Sequence, residues 1–177
     1  AVSFILMSLA NVLIFLGDPR ATHTVVFWML GGLGLAQWDQ LVYPLFILLV
    51  CGFYLYFNTG KLNAMTIGDE TASTLGISVA RFRLMVFAVG ALITGVMVAF
   101  SGIIGFVGLM VPHVIRLLIG GDYRRLLPAS ALLGAIFLVW ADVIARNIMA
   151  PDDMPIGIVT GLIGGLFFIW LLRRRLG

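Results

Sequence analysis

Few residues in this sequence are of a type and spacing that could support chemistry. Pro112-His113 is followed by Arg116, a trio that could hold a proton or a metal ion. A metal site needs several ligands at close spacing, and the only other histidine, His23, lies far away in the chain. We therefore predict no metal site here.

Asp142 and Arg146 form the other notable pair. They stand four residues apart, a spacing that places two side chains on the same face of a helix. Since ionisable residues near a membrane span are functional candidates, two roles stay open. The pair forms a salt bridge at a helix end, or Arg146 helps to dock a partner protein.

Common nucleotide-binding and catalytic motifs are missing from the sequence. It contains no G-x-x-x-x-G-K-[ST] loop for nucleotide phosphates, no H-E-x-x-H and no G-x-S-x-G. If ATP drives this protein, another chain must bind it. We predict that the chain is not an enzyme and needs no cofactor, with a membrane-embedded enzyme as the rival class.

The composition is typical of an integral membrane protein. Of 177 residues, 62% are hydrophobic and 11% are charged, and the mean hydropathy is +1.13. A soluble domain is about a quarter charged. We predict an all-α, polytopic membrane protein in which seven apolar runs cross the bilayer, at about 1–17, 22–36, 41–57, 84–104, 105–119, 128–147 and 156–172.

The positive charges indicate the orientation of these runs. Lys and Arg are enriched in cytoplasmic loops. Seven crossings place ten of the eleven basic residues on one side, with Arg146 alone on the other. The C-terminus and the segment 68–83 are then cytoplasmic. The chain begins with Ala1 inside an apolar run, so we also expect that N-terminal spans precede it.

The polar segment 68–83, GDETASTLGISVARFR, interrupts this apolar chain. Gly68 ends the preceding element, and Asp69 and Glu70 suit the first turn of a short helix. Leu75-Gly76 is typical of a helix end, because glycine accepts a left-handed conformation.

The second half of the segment predicts another short helix. Ser78 is a good N-cap for VARFR, which leads into the next span. Two short helices joined at a glycine would form a compact knob in the cytoplasm. The small side chains of residues 71–74 would let a partner approach closely. An ordinary solvated linker is the alternative.

Several stretches resemble one family of ABC importer permeases. GDETASTLGISVARFR is similar to the cytoplasmic coupling loop of such permeases. GIIGFVGLMVPHVIRLLIGGDYRRLLPASALLGA, then ADVIAR and MPIGIVTGLIGGLFFIWLL, resemble the family that imports cobalamin, iron–siderophores and haem. Members have ten spans, so residues 1–177 resemble the last seven spans of the type II importer fold.

The resemblance implies roles for particular residues. The coupling helices at 68–83 would dock on the ATPase through Gly68, Asp69, Glu70, Ala72, Leu75, Gly76, Ser78 and Arg81. The loop Gly17-Asp18-Pro19 would narrow the inner mouth of the pathway, and the 22–36 helix would line it through Trp28, Met29, Gly31 and Gly32. Arg146 would meet acidic residues of a binding protein.

The same resemblance implies an assembly and a cargo. The partners would be two ABC ATPase subunits, a second permease copy and a periplasmic substrate-binding protein, in a bacterial inner membrane. Contact with membrane lipid is expected, and contact with nucleic acid is not. An iron–siderophore is the expected solute, with haem, cobalamin or an oxyanion as alternatives.

Overall fold

The structure is a computed structural model that describes residues 2–34, 36–148 and 154–176. Every regular element in these ranges is an α-helix. In chain order the helices are α1 (Val2–Leu16), α2 (Pro19–Met29), α3 (Val42–Phe57), α4 (Thr59–Ile67), α5 (Asp69–Thr74), α6 (Val79–Ser101), α7 (Val107–Ile119), α8 (Tyr123–Ile148) and α9 (Ile156–Leu176).

Each predicted apolar run contains a helix, which confirms the all-helical membrane fold. In the described part of the chain, α6, α8 and α9 are long and apolar enough to cross a bilayer, and the bent pair α3–α4 makes a fourth candidate. Helices α1 and α7 are apolar but shorter. The 13 residues of α7 rise about 20 Å, less than the roughly 30 Å of a hydrocarbon core. Seven complete crossings therefore stay a prediction.

A bend at Asn58 separates α3 from α4. The two helix axes differ by 56° there. The Asn58 side-chain amide donates to the Tyr54 carbonyl at 2.8 Å, which satisfies an acceptor at the end of α3. Helix α4, which the sequence did not predict, carries the chain from this bend to the polar segment.

The best-packed region lies between α7, α8 and α9. Helices α7 and α8, which are joined by a three-residue loop, pack against each other, and α9 packs against both. Its buried side chains form two clusters, Met110, Val111, Ile115 and Leu126 in one and Ala141, Ala145, Ile156 and Val159 in the other. By contrast, α1 and α3 expose large side chains: Phe15 is 87% exposed and Phe57 80%. Such surfaces suit lipid or neighbouring helices.

Glycines bring three chain segments into backbone contact at the end of α6. The Gly32 amide donates to the Ser101 carbonyl at 2.9 Å. A Cβ added at Gly102 would collide with the Trp28 carbonyl, and one added at Gly157 would collide with the Leu30 carbonyl. Backbones approach this closely only where no side chain intervenes.

This contact corrects the prediction of one helix over 22–36. Helix α2 ends at Met29, and the residues of GGLG lie outside it. Gly31 has φ +78°, a left-handed conformation that stops the helix. The glycines therefore allow close backbone packing and are not part of α2.

Candidate functional site

The polar segment 68–83 forms a compact knob at the start of α6. Gly68, at φ +143°, interrupts the helical backbone between α4 and α5. Asp69 and Glu70 stand in the first turn of α5, as predicted. Gly76, at φ +79°, follows the end of α5. Its amide donates to the Ser73 carbonyl at 2.9 Å, which closes the last turn.

The second predicted short helix is not a separate element. VARFR is the first turn and a half of α6, which continues without a break to Ser101. Ser78 does occupy the position before α6, and its carbonyl accepts the Phe82 N–H at 2.9 Å. Its hydroxyl makes no capping hydrogen bond. The correction follows from the absence of any glycine or proline between Ser78 and the span.

An ion pair holds α5 against α6. Arg83 Nη2 lies 2.7 Å from Asp69 Oδ1 and 2.8 Å from Asp69 Oδ2. Within the same segment, Ala72 of α5 is completely buried and Phe82 of α6 is 7% exposed. The Lys61 ammonium lies 5.6 Å from the centre of the Phe82 ring, a distance at which cation and ring attract.

The outer surface of the knob is small and partly apolar. Leu75 is 66% exposed beside Gly76, and the side chains of Glu70 and Arg81 are exposed as well. A Cβ at Gly76 would meet nothing within 4 Å. Of the predicted coupling residues, Ala72 thus lies inside the knob, whereas Leu75, Gly76 and Arg81 lie on its surface.

A second polar contact at this end was not predicted. The Asn63 amide donates to Asp122 Oδ1 at 2.6 Å, and the Tyr123 N–H donates to Asn63 Oδ1 at 2.9 Å. The Arg124 N–H also donates to Asp122 Oδ1, at 3.0 Å. That backbone bond, followed by the bond from Asn63, lowers the pKa of Asp122. Helix α4 is thereby joined to the start of α8.

At the opposite end of α8, Asp142 and Arg146 form the predicted salt bridge. Arg146 Nε lies 2.8 Å from Asp142 Oδ2. The pair lines a cleft of about 110 Å³ that also contains Trp28 and Gly32. The remaining lining residues are Phe27, Leu33, Gly34, Phe100, Met154, Pro155 and Ile156.

A larger apolar cavity of about 370 Å³ lies between α1, α2 and α6. Gly17, Trp28 and Met29 line it, together with Ala10, Leu13, Ile14, Thr22, Val25, Val98 and Ile103. Trp28 therefore belongs to the walls of both the cleft and the cavity. Of the seven residues predicted to line or narrow a pathway, Gly17, Trp28 and Met29 thus line the cavity, and Trp28 and Gly32 line the cleft.

The loop between α1 and α2 closes one edge of this cavity. Asp18 is exposed, and its carbonyl accepts the Thr22 N–H at 2.9 Å. The Thr22 hydroxyl donates to the Ile14 carbonyl at 3.0 Å, which ties the two helices together. Pro19 begins α2, where its fixed φ suits the first turn.

The His113 stretch packs within the core. The His113 ring meets the Phe167 ring edge-on, with centroids 6.1 Å apart. Arg116 is exposed in the last turn of α7. Over the residues described, no group of three or more His, Cys, Asp and Glu side chains is placed to hold a metal ion.

Phe106 is a further residue that sequence reasoning missed. It precedes α7 with φ +65°, which is costly for an aromatic residue. Its ring packs at 6.0 Å from that of Phe168, and a Cβ at Gly164 would collide with it. Phe106 and Gly164 thus fix the entry of α7 against α9.

The chain resembles known proteins in both sequence and fold. The family model of the FecCD transport family matches residues 1–174. The hemin transport system permease of Yersinia pestis is 41% identical over 165 residues, 93% of this chain and 49% of that protein. The Fe(3+)-citrate import system permease YfmD of Bacillus subtilis is 41% identical over 175 residues, 98% of this chain and 52% of that protein.

A third relative is described as a permease for a different solute, and a solved structure has the same fold. The cobalamin import system permease of Halobacterium salinarum is 41% identical over 156 residues, 88% of this chain and 42% of that protein. A solved structure described as an inward-facing conformation of a metal-chelate type ABC transporter superposes with a TM-score of 0.91 at 31% identity. The match covers 97% of this chain and 56% of that one.

The chain thus spans about half the length of the curated relatives it matches. The family match, by contrast, runs over almost every residue, including the knob, the cleft and the cavity. This chain belongs to the FecCD transport family.

Proposed function

We propose that this chain is part of the transmembrane permease of an ATP-driven importer for a bulky metal chelate. Its knob, residues 68–83, docks on a separate ATPase subunit. The observation that carries the proposal is the knob itself: a six-residue helix held to α6 by Asp69–Arg83, with Leu75 and Gly76 exposed. A linker would need neither the ion pair nor the buried Ala72.

Two further observations support an importer over a membrane-embedded enzyme. The relatives named above are described as permeases for hemin, Fe(3+)-citrate and cobalamin. Residues 1–177 contain no P-loop, and we propose that a separate subunit supplies the energy. We propose two ATPase subunits, a second permease and a periplasmic binding protein as the assembly, with membrane lipid around it.

The solute path runs from the cleft to the apolar cavity in this proposal. Trp28 lies in the walls of both and serves as the gate between them, with Gly32 on one side and Met29 on the other. The cavity has apolar walls, and the two charged residues that line the cleft, Asp142 and Arg146, are paired with each other. Such a path suits a large chelate that slides past rather than a bare ion. We propose an iron–siderophore as the cargo, with haem, cobalamin or an oxyanion as alternatives.

The orientation follows from the charges. The knob, the Gly17-Asp18-Pro19 loop and the C-terminus face the cytoplasm of a bacterial inner membrane. The Asp142–Arg146 end of α8 faces the periplasm, where Arg146 docks the binding protein. This places the knob and the cleft on opposite sides of the bilayer, as an importer requires.

Substitution of Gly76 tests the docking directly. Position 76 is exposed and nothing lies within 4 Å of an added Cβ, so a larger side chain there would extend away from the knob toward the approaching partner. A tryptophan at position 76 would cost about 1–2 kcal/mol, because the backbone there has a positive φ. Gly76→Asn is the matched control, since asparagine tolerates the left-handed backbone conformation better than other side chains do. We expect Gly76→Trp to fold yet to abolish solute-stimulated ATP hydrolysis in liposomes that contain the full importer.

The control separates docking from backbone strain. Gly76→Asn should keep most of the stimulated hydrolysis, since it adds little bulk where the ATPase approaches. Wild-type hydrolysis rates and uptake in Gly76→Trp would refute the proposed role of the knob. Failure of the wild-type permease to co-purify with an ATPase subunit would refute the function as a whole.

A further inference from the structure

A reciprocal hydrogen-bonded contact joins two helices that are distant in sequence. Asn63, in α4, donates from its amide nitrogen to Asp122 at 2.6 Å and accepts from the Tyr123 N–H at 2.9 Å. Both ends of one amide side chain are used across a separation of 59 and 60 residues. Such use of donor and acceptor together fixes both the distance and the orientation of the two helices.

Asp122 is itself held firmly at this point. Its carboxylate also accepts the Arg124 N–H at 3.0 Å, and its carbonyl accepts the Leu126 N–H at 2.8 Å. These bonds organise the first turn of α8, so whatever binds Asp122 is attached to that helix. Asn63 is therefore connected to α8 as a whole and not to a loose loop.

The two helices joined by this contact lead to the two functional ends of the molecule. Only Gly68 separates α4 from α5, so the knob follows α4 directly. Helix α8 has 26 residues and is about 39 Å long, which takes it to the cleft lined by Asp142 and Arg146. Buried Leu126 near one end and buried Ala145 near the other anchor α8 along its length.

We propose that Asn63 and Asp122 form a joint that makes the knob and α8 move as one body. A displacement of the knob by the ATPase then reaches the cleft through α8, and docking at the cleft reaches the ATPase by the same route. This inference rests on the function proposed above and adds the residues that transmit the motion. Both are positioning residues, because neither needs to touch solute or nucleotide.

The test exchanges the two side chains. Asn63→Asp places a carboxylate against Asp122, which removes the donor and adds like-charge repulsion. In the double variant Asn63→Asp with Asp122→Asn, the new amide at position 122 donates to the new carboxylate at position 63, which still accepts the Tyr123 N–H. The Arg124 N–H bond is lost in this variant, because Asp122 Oδ1 accepts from both Asn63 and Arg124 in the wild type. Asn58→Asp is the matched control, because the Asn58 amide bonds to Tyr54 within its own turn.

The full importer is reconstituted in liposomes with its ATPase and its binding protein. ATP hydrolysis is measured with and without saturating solute-free binding protein, so no cargo has to be identified. We expect Asn63→Asp to keep the basal rate and to lose at least about fivefold of the stimulation, the lower range of allosteric coupling. The double variant should recover part of the stimulation, because the link between positions 63 and 122 returns while the Arg124 N–H bond does not. Asn58→Asp should match the wild type.

The outcomes separate the joint from a purely structural role. If Asn63 only stabilises the fold, Asn63→Asp lowers the melting temperature and scales basal and stimulated rates together, which overturns the proposal. Normal stimulation in Asn63→Asp, or no recovery in the double variant, also overturns it. If the binding protein does not stimulate ATP hydrolysis by the wild-type importer at all, the proposed function is refuted, and so is the proposed joint.

Discussion

Breaking the Asp69–Arg83 ion pair should lower, by a small amount that can be calculated, the free energy that holds α5 against α6. The two side chains are 57% and 47% exposed, so solvent screens their attraction, and such pairs contribute about 0.2–1 kcal/mol. Arg83→Gln should therefore cost about 0.5 kcal/mol of local stability, which raises the open population of α5 about twofold. Asp69→Asn should cost more, because Asp69 also stands in the first turn of α5, where a negative charge is favourable.

Amide hydrogen exchange over residues 72–77 measures this opening. The Ala72 N–H bonds to the Gly68 carbonyl and the Ile77 N–H to the Ala72 carbonyl, so both amides report on α5. We expect about twofold faster exchange in Arg83→Gln at low salt and a smaller difference at 1 M salt, where the Debye length is about 3 Å.

Glu70→Gln is the matched control for Asp69→Asn. It removes the same charge from the same helical turn, and the described residues place no ion pair on Glu70. Its exchange should change less than that of Asp69→Asn. Equal exchange in Arg83→Gln and the wild type at low salt would show that the ion pair does not hold the knob, and the reasoning would be wrong.

Two other predictions concern the opposite end of the molecule. Gly31→Ala should lower the melting temperature in detergent, because the new Cβ meets the Ile103 carbonyl and the residue is at positive φ, which together cost about 2 kcal/mol or more. Gly90→Ala is the control and should not lower the melting temperature, because there is open space around that position. Equal melting temperatures of the two variants would contradict the packing argument. Arg146→Gln should weaken binding-protein affinity about tenfold while changing stability by less than about 1 kcal/mol, since its salt bridge is partly exposed. Affinity measured on nanodiscs tests this, and an unchanged value would contradict the docking role of Arg146.

Local signals in the sequence predicted much of this structure. The apolar runs located the helices, because membrane spans need long stretches without charge. The spacing of Asp142 and Arg146 predicted their salt bridge, since four residues are about one helical turn. Asp69, Glu70 and Gly76 predicted the start and end of α5 for equally local reasons.

The features that were missed depend on contacts between distant segments. Nothing near Asn63 indicates that it meets Asp122 and Tyr123, because that contact exists only when α4 packs against α8. The end of α2 at Met29 likewise follows from backbone packing of Gly31 against Ile103, which the run of apolar residues concealed. Periodicity and capping patterns carry no information about such partners.

The two ends of the molecule are held by different kinds of interaction, and this difference bears on how it would move. At the α6–α9 end, Gly102 and Gly157 put backbone against backbone with no space for a side chain, so a shift there meets immediate steric resistance. At the knob, the Asp69–Arg83 contact between α5 and α6 is exposed and polar, and it can exchange with water at a cost of about 1 kcal/mol or less. A partner that pulls on the knob therefore meets little resistance within the knob's attachments. A contact that aligns α4 with α8 is then needed for the pull to reach the cleft, because compliant attachments alone would absorb it.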